Sequence, residues 1–253
     1  MNSSNHQIVT LDRRPDLMET AERFCGPKWP TFMLQDPVAE KHFDSVYKQF
    51  PQYQQAVIEK YTDRLVAVGN CIPMNHSGDA ADLSDKGFDW ILTEVFENSK
   101  GAASPTQSLF ALQIVIDPGL RGQSLSSVVV QAMLMTGKEY GCGALFAPVR
   151  PNKKHLYPIT PIEKYIRWSD SEGQPFDPWM RVHTRLGAAI VKVCHESMHI
   201  PGTVADWESW TRMRFPESGD YVVPEALVPV RIDREADTGL YIEPNVWIHH
   251  RID

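Results

Sequence analysis

The feature that most constrains this chain is the run Ser108–Ile116, in which Leu109-Phe110-Ala111-Leu112 and Ile114-Val115-Ile116 are almost unbroken apolar residues. A strand with one wet face alternates polar and apolar residues. A continuous run is instead buried on both faces, as in a central strand of a layered α/β fold. Asp117-Pro118-Gly119 stops the strand. A helix is expected from about Gln123 to Tyr140, with Leu125, Val128, Val129, Ala132 and Met133 on its core face and Gly141–Gly143 ending it. Ala144–Val149 reads as a second buried strand, giving the order strand, tight turn, helix, strand.

The flanks are read around that unit. Ile8–Leu11 is a short strand, Asp16–Phe24 has helical character, and Val38–Phe50 is a helix that Gln54–Tyr61 continues after Pro51. Arg64–Ile72 is a strand and Lys86–Asn98 an amphipathic helix. Beyond Arg150, prolines at 151, 158, 161, 175 and 178 interrupt the chain. Short helices are expected at Pro161–Trp168, Pro178–Leu186 and Val204–Arg212, with strand-like stretches at Ala188–Val193, Tyr221–Val223 and Ala226–Ile232. Tyr241–Ile248 is apolar enough to dock, while His249-His250 reads as tail.

Composition narrows the function classes. The chain has 253 residues and a formal net charge of −7, which argues against a general nucleic-acid or membrane surface despite the local Lys153–Lys154 pair. Met1–Thr10 lacks the basic start and apolar core of a signal peptide, and no apolar run suits a bilayer span. Cys25, Cys71, Cys142 and Cys194 are far apart, with no zinc-like pair, so a cytoplasmic protein with reduced thiols is expected. No metal site is expected. Asp79, Asp82 and Asp85 lack the order of a calcium loop, and His195 and His199 lack the order of a zinc helix in a segment that reads as strand then loop.

The chemistry is carried by Asp117–Ser126. The first amides of a helix have no internal partner and sit at the positive end of its dipole, which suits a pyrophosphate. Gly122, Ser124 and Ser126 are small enough for a phosphate to approach the backbone, and Arg121 adds a positive charge. This segment resembles the acyl-CoA signature of the GNAT (Gcn5-related N-acetyltransferase) superfamily, Arg/Gln-x-x-Gly-x-Gly/Ala after a strand. The matching positions are Arg121, Ser124 and Ser126. Serine at 124 and 126 is expected to hold ordinary φ values. The preceding Val115–Gly122 is also similar to relatives, which carry a strand-end proline followed by Arg-Gly. Further on, Arg185-Leu186-Gly187-Ala188 resembles the family's late helix-end motif, displaced by an insertion over about 153–177. The likeness is good over about 108–152, weaker over 178–232 and architectural before 100.

The resemblance implies a single GNAT-like domain over 1–253, with a cofactor-binding core at about 108–152 and a C-terminal extension at about 194–253. Its fold is α/β (α+β): a central mixed, mostly antiparallel sheet with helices on both faces and an N-terminal helical region. The strands Ser108–Ile116 and Ala144–Val149 are expected to splay so that a pantetheine arm enters between them. The cofactor, acetyl-CoA or another acyl-CoA, would meet Ile114, Val115 and Ile116 through their backbone. Its phosphates would meet Arg121, Gly122, Gln123, Ser124, Leu125 and Ser126, with Asn152 facing it from beyond the second strand. The implied reaction is acyl transfer to the amine of a small molecule, and a homodimer is compatible with it. Rival readings on the same scaffold are O-acyl transfer, thioester hydrolysis, decarboxylation, or acyl-CoA binding without catalysis.

No acid or base is universal in that superfamily. His183 is the leading candidate, because an ordinary imidazole transfers protons near neutrality. Tyr157 and Tyr165 are candidate acids in the insertion, and Glu163 shares a helix with Tyr165 but reads as solvated. Asp117 is a candidate base or a turn cap. Gln113, the strongly polar side chain inside the strand, needs a hydrogen-bond partner or a cavity.

Overall fold

The computed structural model describes residues 5–98, 107–120, 122 and 124–252. Its sheet contains, in chain order, β1 (His6–Thr10), β2 (Gln54–Glu59), β3 (Leu65–Asn75), β4 (Gln107–Ile116), β5 (Ala144–Val149), β6 (Ala189–Gly202), β7 (Gly219–Tyr221), β8 (Val230–Asp233) and β9 (Thr238–Arg251). The helices are α1 (Met18–Cys25), α2 (Pro37–Gln49), α3 (Gly87–Thr93), α4 (Leu125–Glu139), α5 (Ile162–Tyr165), α6 (Pro178–Arg185) and α7 (Val204–Thr211). The spatial order is β1-β2-β3-β4-β5-β9-β8-β7, with β6 also paired to β9. The β4–β5 pair is parallel and every other pairing is antiparallel. This is the mixed, mostly antiparallel sheet expected from the sequence.

The unbroken apolar runs are explained by apolar clusters on both faces of the sheet. Leu109 and Leu145 pack with Val129 and Met133 of α4 and Met180 of α6. Their neighbours Phe110 and Phe146 point the other way, to Val46 of α2, Ile91 of α3 and Trp207 of α7. Alternation along β4 and β5 therefore feeds apolar residues to both layers.

Three local expectations are corrected. Gln54–Tyr61 does not continue the helix. A turn at Pro51–Tyr53 redirects the chain into β2, which pairs with β1 and β3. A run this short carries no decisive helical period, and ladder pairing on both sides outweighs it. Around His195 and His199 the chain is not a loop but a bulged part of β6, whose register to β9 shifts between Cys194 and Met198. Ala226–Val228 lies between β7 and β8 rather than in a strand.

The segment read as a tail is the largest surprise. The second half of β9 lies between β5 and β6, in the interior of the sheet. Among the described residues, no helix is long and apolar enough to cross a membrane.

Candidate active site

Strands β4 and β5 share register only at Leu109–Leu145 and Phe110–Phe146. Beyond that they part. The cause lies in β4: Asn70 of β3 faces Gln113 but Cys71 faces Ala111, so Leu112 is an extra residue, a bulge that bends the strand. The result is a gap, closed at Leu109–Leu145 and open towards Ile116 and Val149.

The backbone along the gap follows from one hydrogen bond. The Asp117 N–H donates to the Val66 carbonyl of β3 at 2.8 Å. Antiparallel pairing alternates direction residue by residue. Val115 therefore also turns its N–H and C=O to β3, while Ile114 and Ile116 turn theirs away, to the side β5 has left. That edge can pair with the amides of an extended ligand.

The chain leaves β4 through a locked turn. One Asp117 oxygen accepts the Gly119 N–H at 2.9 Å, and the other accepts Arg64 Nη1 at 2.9 Å. Both carboxylate oxygens are engaged, as a turn cap would have them. At the start of α4, Gly122 has φ +84° and Ser124 has φ +61°. The expectation of ordinary φ at Ser124 is thus overturned. The turn needs a left-handed residue just before the helix, and serine supplies it without a capping hydrogen bond from its own side chain. Ser126 lies inside α4 and is regular. A Cβ built on Gly122 meets nothing within 4 Å, so the loop leaves room beside its backbone. Arg121 and Gln123 lie outside the described residues.

The acid–base candidates scatter. His183 is only 2 % exposed, and its Nδ1 lies 2.9 Å from Nε2 of His250. Burial, with His250 alongside, pushes its pKa down to about 3. This corrects the expectation of a base working near neutrality, because a desolvated imidazole stays neutral. Tyr157 is half-buried among Tyr165, Trp168 and Phe176. The Tyr165 hydroxyl donates to Asp177 at 2.8 Å, and burial raises its pKa. Asn152 is exposed just past β5. Glu163 lies 3.5 Å from Nδ1 of His195 in a cleft of about 510 Å³ that also contains Asp85, Arg167 and Lys192. Gln113 has partners rather than a cavity: it accepts from Trp29 at 2.9 Å and donates to Asn70 at 2.8 Å.

Two buried groups escaped the sequence reading. Arg150, following β5, donates to both oxygens of Glu243 at 3.0 Å, and Tyr241 and Asn245 also bond that carboxylate. His250 was missed as well. A signal existed for it, because Val246, Ile248 and His250 recur at strand period and so share the core-facing side.

A parallel pair that splays at a bulge, a free strand edge lining the gap and a helix start at its open end define an acyl-CoA-binding fold. The comparisons agree. The chain is 31% identical over 275 residues to the arginine N-acetyltransferase avaD of Aspergillus versicolor, spanning 98% of this chain and 94% of that protein. The loading GNATL domain of CurA from Lyngbya majuscula superposes with a TM-score of 0.58 at 17% identity, covering 98% of each chain. The GphF GNAT-like decarboxylase in complex with isobutyryl-CoA gives a TM-score of 0.56 at 13% identity, covering 98% of this chain and 100% of that one. No family model matches. The chain belongs to the GNAT superfamily and is an acyl-CoA-dependent N-acyltransferase.

Proposed function

We propose that this protein transfers an acetyl group from acetyl-CoA to a nitrogen of a small cationic acceptor built on arginine. The observation that carries the cofactor half is the gap lined by the outward-turned backbone of Ile114 and Ile116, ending at the start of α4. In this reading the amides of Gly122–Ser126 receive the pyrophosphate, Arg121 assists, and Asn152 faces the arm from the β5 side. The acceptor half is supported by the avaD likeness, and the net charge of −7 favours a cation over an anion.

The acceptor nitrogen forms the new C–N bond as the C–S bond breaks. The nitrogen gives its proton to solvent, and the departing thiolate takes one from the Tyr157 hydroxyl, which solvent restores. Asp117 serves as the lock of the turn. Residues 1–253 act as one domain, with the insertion and the N-terminal helices around the acceptor. The four free, buried cysteines suit a reducing cytoplasm. A homodimer fits the reading, and light scattering measures it.

The test is thiol release from acetyl-CoA with arginine, simple alkylamines and hydroxyl compounds, with the acceptor followed by mass spectrometry. Acetylated arginine or a guanidine-bearing relative is expected. Thiol release with no acylated acceptor would assign hydrolysis instead, and carbon dioxide release from malonyl-CoA would assign decarboxylation.

A further inference from the structure

His183 of α6 and His250 of β9 meet through Nδ1 of the first and Nε2 of the second, 2.9 Å apart. One of these nitrogens must donate. If His183 donated, both rings would carry their single proton on Nδ1. If His250 donates, both carry it on Nε2, the intrinsically preferred neutral tautomer of a histidine side chain. The second arrangement gives both rings their preferred form, and the hydrogen bond between them then fixes the tautomer. Both rings are neutral, since burial pushes His183 down to about 3 and His250 to about 4. Among the described residues His183 Nε2 has no hydrogen-bond partner, so its N–H is then an unpaired buried donor, and His250 Nδ1 is an unpaired buried acceptor. An unpaired buried donor is costly and calls for an acceptor.

The pair sits where such an acceptor would arrive. His250 is opposite Leu145 in the β5–β9 ladder, and Leu145 is the residue paired with Leu109 at the closed end of the gap. Directly opposed residues share a face, so His250 lies on the face that holds Leu145, α4 and α6. Trp179 meets the His183 ring edge-on at 4.7 Å. An arm anchored at the start of α4 and paired along Ile116 and Ile114 has its acyl end directed at this closed end.

We propose that His250 is a positioning residue that holds His183 in the Nε2–H form, and that His183 Nε2–H hydrogen-bonds the thioester carbonyl oxygen. This rests on the acyl-CoA reading above. Negative charge grows on that oxygen when the acceptor nitrogen attacks, so the bond strengthens as the reaction proceeds. No proton changes hands at this oxygen. The low basicity that disqualifies His183 as a base suits it as a donor, because the ring stays neutral.

The tautomer is read directly from the nitrogen shifts of the ¹⁵N-labelled protein at pH 7. Protons on Nε2 of both rings are expected, and protons on Nδ1 would overturn the proposal. The protein is then titrated with a ketone analogue of acetyl-CoA that has a methylene between sulfur and carbonyl. The His183 Nε2–H signal should move downfield, and heat of binding without that movement refutes the contact. No heat of binding at millimolar analogue overturns the acyl-CoA reading itself. In kinetics, His183→Leu should lower kcat by about 10²–10³-fold with acetyl-CoA affinity kept. His250→Leu should give an intermediate loss that His250→Gln, which keeps an N–H at the same place, restores. Full kcat in a folded His183→Leu variant, or equal losses in both His250 variants, would refute the assigned roles.

Discussion

Asp36, at the start of α2, and Asp89, in α3, are buried near each other, 0 % and 8 % exposed, and each keeps one carboxyl oxygen without a hydrogen-bond partner among the described residues. One oxygen of Asp36 accepts the Ala39 N–H at 2.7 Å, and one of Asp89 accepts the His199 N–H at 3.1 Å. Two buried carboxylates disfavour each other's charge, so one keeps its proton. Burial, then the Asp36 charge, raises the Asp89 pKa to about 8. The native state thus keeps a proton that the unfolded chain releases near its ordinary value of 3.8. Stability therefore falls as pH rises through that window. Between pH 5 and 8 this loss should be about 3–4 kcal/mol, and Asp89→Asn should flatten it. Urea unfolding at pH 5, 6.5 and 8 checks the prediction; parallel curves for the two proteins would refute it.

Ser124 bears a left-handed backbone at the proposed phosphate cradle. Ser124→Gly should raise stability by about 1 kcal/mol and keep acetyl-CoA affinity. Ser124→Val, β-branched and intolerant of positive φ, should lower both. Thermal unfolding and calorimetry measure the pair, and a glycine variant less stable than the parent would contradict the strain.

Gly69 of β3 lets α4 approach. A Cβ there would meet the Val129 side chain and Met133 Cε, the latter at 2.8 Å. Gly69→Ala should cost about 1–3 kcal/mol and weaken acetyl-CoA binding, because the displaced helix carries the cradle. Unaltered affinity would show that the start of α4 does not hold the cofactor.

Asp117 separates turn lock from base. Asp117→Asn can still accept the Gly119 N–H but loses the half-exposed ion pair with Arg64, worth about 0.2–1 kcal/mol. A kcat near the parent value is expected. A fall of about 10²–10⁴-fold would restore Asp117 as the base.

Glu243 is fully buried and paired with the largely buried Arg150. Glu243→Ala strands that guanidinium and should cost about 3–5 kcal/mol, read from urea unfolding. A loss below about 1 kcal/mol would mean that water replaces the carboxylate.

What could be read in advance follows physical lines. Ser108–Ile116, Leu125–Glu139 and Ala144–Val149 announce themselves because burial on two faces and helical period are local patterns. The gap between β4 and β5 depends on a bulge at Leu112, whose only trace is a register visible once β3 is alongside. The strained φ of Ser124 belongs to the turn rather than to the serine. His183 was found as a histidine near the right region, but its chemistry is set by His250, 67 positions away. Pairings across such distances, like Arg150 with Glu243, leave no mark in any window of sequence.

The second half of β9 lies between β5 and β6. Strands β1–β5 and β6–β8 therefore hold separate borders of one unfinished seam until Thr238–Arg251 arrives. During synthesis the earlier strands wait with open edges, which is when chains of this kind aggregate. A ribosome stalled before position 238 would display a chaperone substrate, and one that has released residue 251 an enzyme.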